Sequence, residues 1–89
     1  MATGTTTVDF GTGDVDKTVV VASPTITGSS LVEAWIFPAD TASNTIDNHL
    51  VEDLEVIAYN VVNATGFSIY VKCNTGSAHG IYNLGWAWV

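Results

Sequence analysis

Leu50-Val51-Glu52-Asp53-Leu54-Glu55-Val56-Ile57-Ala58-Tyr59-Asn60-Val61-Val62 is the stretch on which the fold class turns. Leu50, Leu54, Ile57 and Val61 recur at helical spacing and would line one face of a helix. Leu54, Val56 and Ala58 also alternate with Glu55, Ile57 and Tyr59, which is the period of a strand. Length favours the helix, whereas Val, Ile and Tyr favour the strand. The neighbouring segments read as strands that need an antiparallel partner, so the expectation is a long strand over Glu52 to Val62.

Downstream, Asn63-Ala64-Thr65-Gly66 reads as a turn with Gly last. Phe67 to Cys73 follows as a strand, with Phe67, Ile69, Val71 and Cys73 on the core face and Ser68, Tyr70 and Lys72 facing away. Asn74 to Gly80 is a loop. The terminal run Ile81-Tyr82-Asn83-Leu84-Gly85-Trp86-Ala87-Trp88-Val89 carries two of the three tryptophans and has no polar tail after them. Loose ends are normally polar and frayed, so this one is expected to be paired into a sheet.

Upstream, Leu31 to Phe37 reads as a strand ended by Pro38, which cannot donate to a ladder. Glu33 is its one charge, so both of its faces are expected to be covered over much of its length. Thr5 to Phe10 and Lys17 to Ala22 read as two earlier strands, with turns at Gly11-Thr12-Gly13-Asp14 and Thr27-Gly28-Ser29-Ser30. Ala39 to His49 is the longest polar stretch, and a short helix near Asp47 to Glu52 would take Asp47 as its N-cap. The result is an all-β protein: a small antiparallel sandwich or barrel of about six strands. It has one long loop, with room for a short helix, around residues 39–50. There is no internal repeat and no linker, and residues 1–89 read as a single β domain.

Composition narrows the function. A chain of 89 residues buries roughly 60–65% of the surface that it exposes unfolded, so its stability margin is thin. Cys73 is the only cysteine, which rules out a disulfide within one copy and leaves oligomerisation as the expected supplement. Charged residues are 12% of the chain and the net charge is −7, with Lys17 and Lys72 the only basic groups. Such a chain does not neutralise phosphates, so nucleic acid is not an expected partner, and neither is an anionic membrane. No apolar run approaches ~20 residues. Met1 to Thr7 lacks the basic start and apolar core of a leader, and the chain reads as a complete short frame.

Candidate sites divide into aromatic surfaces and polar clusters. Tyr82, Leu84, Trp86 and Trp88 share one side of the last strand, where they pack a core or form an interface or sugar-stacking platform. Trp35 and Tyr70 on other strands would extend that platform. Ile81, Gly85, Ala87 and Val89 make the opposite side apolar too, which implies that another subunit supplies one layer. Trp35, Tyr70, Tyr82, Trp86, Trp88 and Val89 are the expected interface residues.

Asp40, Asn44, Asp47, Asn48 and His49 crowd one loop, but their spacing lacks the alternate acids and central Gly of an EF-hand. A solvated loop with capping residues fits them better. His49, Glu52 and Asp53 would need His79 and further ligands to hold a metal. Asp14 and Asp16 form a carboxylate pair of the kind that glycosidases use, yet the chain has little else to build a hydrolase from. Cys73 reads as a buried structural thiol. No catalytic residue, cofactor or metal is assigned, and the chain is not expected to be an enzyme.

Four segments carry a likeness: Thr7 to Gly11, Ser30 to Ile36, His49 to Asp53, and Gly66 to Val71 followed by Gly80 to Val89. Together they resemble small all-β proteins and domains in the virions of tailed bacteriophages, of the capsid-decoration (cement) or tail-fibre type. The resemblance implies a structural virion component without catalytic residues, made in the bacterial cytoplasm. It would work by contact with its own copies, a trimer among them, and with a major virion protein such as the capsid protein. A fibre or carbohydrate-binding module that stacks host-surface glycans on exposed aromatics is the alternative.

Overall fold

A computed structural model describes all residues from Met1 to Val89. Six strands and one short helix follow in the order β1 (Ala2–Asp9), β2 (Asp16–Ala22), β3 (Val32–Ile36), α1 (Ile46–Val51), β4 (Leu54–Val62), β5 (Gly66–Cys73) and β6 (Ile81–Trp88). They form two three-stranded sheets, ordered β1-β6-β3 and β2-β5-β4. Every pairing is antiparallel. The protein is an all-β sandwich.

The deciding stretch divides between its two readings. Leu50 and Val51 close α1, and the strand begins at Leu54, two residues later than expected. Val56 pairs with Val71 and Ala58 with Ile69, so the alternation puts Leu54, Val56 and Ala58 on the inner face. The ladder slips between Tyr59 and Val62, where Asn60 takes a φ of 56°. This is a bulge, and it bends the end of β4. Gly66 opens β5 at a φ of 150°, and a Cβ there would collide with the Val21 carbonyl.

β6 is the central strand of its sheet, hydrogen-bonded to β1 on one edge and β3 on the other. Its even residues Tyr82, Leu84, Trp86 and Trp88 face β5 across the sandwich. The core joins Val8, Phe10, Val21, Ile26, Phe67, Ile69, Val71, Cys73, Ala78, Tyr82, Leu84 and Trp88. Phe67 meets Trp86 edge-on at 5.4 Å between centroids, and Phe10 meets Tyr82 at 6.0 Å. Trp88 Nε1 donates to Ser23 Oγ at 2.9 Å, which satisfies the one polar atom of the deepest indole.

Three expectations are corrected. β1 starts at Ala2 rather than Thr5, because the Trp86 ring lies across Gly4 and supplies the packing that glycine lacks. β3 is an edge strand covered on one face only. Val32, Ala34 and Ile36 pack inward, but Leu31, Trp35 and Phe37 remain exposed on the outer face. The α1 N-cap is Thr45, not Asp47. Thr45 Oγ1 accepts from the Asn48 amide while Asn48 Oδ1 accepts from the Thr45 amide, a reciprocal box that Asp47 cannot make from the first turn.

A deletion of Trp86 to Val89 removes ladder partners from β1 and β3 together, and the expected outcome is a chain that does not fold. Trp88→Ala leaves a buried void and an unpaired Ser23 hydroxyl, at a cost of about 3–5 kcal/mol. Urea denaturation of the variant beside the wild type measures it.

Candidate functional site

Two apolar surfaces and one polar strap remain once the core is accounted for. The first surface is the outer face of the β1-β6-β3 sheet. Trp35 lies over Gly85, where a Cβ would strike its indole, so glycine at that position lets the ring approach the backbone. Trp35 is nevertheless 42% exposed, with Phe37 at 44%, Leu31 at 73% and Val89 at 63%. Leu31 and Val89 exchange both of their backbone hydrogen bonds at 3.0 Å, which extends the ladder beyond the strand ends and fixes these two side chains as neighbours. Leu31, Glu33, Ala87, Trp88 and Val89 line a shallow cleft of about 300 Å³.

The second surface is the outer face of the β2-β5-β4 sheet. Its register sets Asp16, Lys72 and Glu55 in one row across the strands. Thr18, Tyr70 and Ile57 form the next row, and Val20, Ser68 and Tyr59 the third. Charge therefore gathers at one end and apolar side chains at the middle, where Ile57, Tyr59 and Tyr70 surround a shallow depression. Tyr70 donates its hydroxyl to Asp16 Oδ2 at 2.9 Å, and that bond to a carboxylate holds the phenol above its ordinary range.

The polar strap is residues 39–49, and its side chains bond to the protein itself. Asp40 Oδ1 accepts from the Ile46 amide. Asn44 donates to the carbonyls of His79 and Ile81, and Thr41 Oγ1 donates to Ile81 as well. Asn83 returns the link by donating to the Ala39 carbonyl. His49 is the keystone. It is buried, its ring lies edge-on to Tyr82 at 4.9 Å, and its Nε2 accepts from the Asn83 amide at 2.9 Å. Because Nε2 accepts, the ring proton sits on Nδ1, which donates to the Thr45 carbonyl at 2.8 Å.

The remaining polar candidates are also placed. His79 lies against Gly13, whereas His49 lies against Tyr82. No three or more His, Cys, Asp or Glu side chains gather where they could hold a metal ion. Asp14 pairs with Lys17 at 3.3 Å, and that contact leads the causes that lower its carboxyl below the usual range. Asp16 serves Tyr70, so the two acids have separate partners. Cys73 Sγ is buried and donates to Glu52 Oε1, to which Thr75 also donates.

Among the expected interface residues, Trp35 and Val89 stand on the first surface and Tyr70 on the second. Tyr82 and Trp88 are buried between the sheets, and Trp86 packs inward against Phe67. Leu31, Phe37, Ile57 and Tyr59 join the surfaces without having been singled out. Their signal was the odd-numbered positions of β3 and the outward positions of β4, where apolar residues stand in place of polar ones. Comparisons with protein-family models, with curated proteins and with solved structures found no match.

Two outcomes follow from the strap. His49→Phe keeps the contact with Tyr82 but removes the acceptor from the Asn83 amide, and should cost about 1–3 kcal/mol in thermal or urea unfolding. Tyr82 is raised first by burial and then by Glu52, so folding holds its proton more tightly than the unfolded chain does. Its contribution is complete below the unfolded value of 10.0 and is lost as pH rises through the folded value. The melting temperature should fall on that alkaline limb, and Tyr82→Phe should flatten the fall.

Proposed function

We propose that this protein is a structural assembly subunit that acts by protein–protein contact. The role that the sequence resemblance implies is a capsid decoration (cement) protein of a tailed bacteriophage. The observation that carries the proposal is the cluster of Leu31, Trp35, Phe37 and Val89, exposed on a rigid sheet at the β3 edge. Scattered surface apolar residues need no explanation, but Leu31, Trp35, Phe37 and Val89 share one sheet face with Glu33 as the charge among them, and exposed apolar side chains around a tryptophan fit an interface. Trp35 already packs against Gly85, so less side-chain entropy is lost when a partner covers it.

The partners in this reading are further copies of the chain and the capsid protein. The acidic balance suits a position on the outside of a particle, away from packaged DNA, and it offsets the greasiness of the apolar faces. The fold supplies the patch and the resemblance supplies the setting.

The test is reattachment to particles stripped of this protein. Trp35→Ala removes the central anchor and should weaken attachment by about 2 kcal/mol or more, roughly 30-fold. The circular dichroism spectrum of the free protein should be unchanged. Cosedimentation with the particles measures the attachment, and normal attachment of the variant removes the reading.

The alternative is a glycan-binding fibre module, and the observation behind it lies on the other sheet. Ile57, Tyr59 and Tyr70 surround a shallow depression beside Asp16 and Glu55, a combination that would stack a sugar face and hydrogen-bond its hydroxyls. Shifts of the Tyr59 and Tyr70 ring resonances on titration with host-surface oligosaccharides would favour this reading, and unshifted rings at millimolar sugar would remove it.

A further inference from the structure

We propose that the free edge of β1 is a homodimerisation seam, on which a second copy of this chain adds its own β1 antiparallel and joins the two sheets into one of six strands. The argument starts from the backbone. Phe10 donates its amide to the Gly80 carbonyl, so the amide at position 10 points toward β6. Amide directions alternate along a strand. The amides of Thr6 and Val8 therefore also point toward β6, and those of Thr3, Thr5, Thr7 and Asp9 point out from the open edge. β1 has β6 on one side only, so these outward groups are left to solvent.

The other three edges are guarded. β3 is five residues long, carries Glu33 and is followed closely by Pro38. β4 is broken by the bulge between Tyr59 and Val62. β2 opens on Asp16 and Lys17. These are the devices by which edge strands avoid pairing. β1 keeps eight residues, Ala2 to Asp9, in ladder register with β6, with no proline, no lysine and no bulge, and its sole charge, Asp9, stands at the end, leaving the seven residues Ala2 to Val8 uncharged.

The strand is also complementary to itself. An antiparallel copy centred on Thr5 sets Thr5 against Thr5 and Thr3 against Thr7 on the outer face. On the inner face it sets Ala2 against Val8 and Gly4 against Thr6. Threonine pairs across antiparallel strands are favourable, and all three outward threonine amides find carbonyls in this register. A shift by two residues in either direction leaves two of the three outer-face threonine pairs and sets the remaining threonine against Asp9 or Met1. The register also keeps the two Asp9 carboxylates at opposite ends, about 27 Å apart at ~3.4 Å per residue. Two copies that each carry a net charge of −7 meet most easily along a seam without charge. The inference stands on this edge alone and does not depend on the Trp35 surface.

Sedimentation equilibrium across a concentration series, with hydrogen exchange of the threonine amides, tests it. The wild type should dimerise reversibly, and the amides of Thr3, Thr5 and Thr7 should be protected in the dimer. Thr5→Pro removes an amide that bonds nothing within one copy, so the fold should survive while dimer dissociation rises by ~10-fold or more. Thr5→Lys should do the same by placing two cations against each other, and it serves if the proline variant unfolds. A wild type that is monomeric at about 1 mM overturns the inference. So does a dimer that both folded variants leave intact, or one in which the three threonine amides stay unprotected. None of these results bears on attachment through Trp35.

Discussion

The double ladder of β6 is the constraint on which the other elements depend. A strand at the centre of a sheet satisfies its amides and carbonyls on both edges, and here it also supplies the widest part of the core from Tyr82, Leu84 and Trp88. β1 and β3 do not pair with each other; each is held in its sheet by β6. The chain lays down β1 to β5 before it supplies the strand that completes the first sheet. Contacts with β6 are therefore mostly long-range, and loop-closure entropy must be met before they are rewarded.

The strap over β6 shows how a small sandwich economises on core. Residues 39–49 bring few apolar side chains, yet they close one end of the molecule by occupying backbone groups of β6 that would otherwise need water. His49 does this through Nε2, which accepts from the Asn83 amide, while its Nδ1 donates to the Thr45 carbonyl at the start of α1. A buried histidine is costly without partners, and here its two bonds join the helix to the central strand. The polar composition of the loop therefore belongs to internal satisfaction rather than to ligand capture. Thr41, Asn44 and Asn83 each spend their polar groups on the backbone of this same region.

Much of this was legible in the residues. Alternation in Phe67 to Cys73 gave the inner face correctly, because β5 is central and its two faces differ in polarity. The terminal run was legible because it alternates, with Tyr82, Leu84, Trp86 and Trp88 on one side of a strand, and so many large side chains on one side need a sheet to pack across. Leu50 to Val62 was ambiguous for a physical reason: a helix end and a strand start share it, and each period describes part of it. Asp47 looked like a cap because an acid before an apolar run is the usual sign; the reciprocal bonds of Thr45 and Asn48 become visible only when the loop is closed. The role of His49 left no local signal, since its partner Asn83 lies 34 residues away. β3 looked doubly covered because its composition is apolar on both faces. Composition records a preference for burial without saying whether the same copy supplies the cover.

That last point bears on how the sandwich meets its surroundings. An apolar outer face is unfavourable in water, and the glycine at position 85 lets Trp35 lie close to the backbone there. A larger residue at that position would lift the indole away from the sheet and give a rougher, more mobile surface. Gly85 costs β6 some backbone entropy at the centre of the sheet, where glycine is otherwise disfavoured. The indole offsets this by covering the exposed backbone, and it shares the outer face with Phe37 on one side and Glu33, then Leu31 and Val89, on the other. The local weakness of the central strand and the preformed shape of the outer face thus have one cause, the Trp35–Gly85 contact.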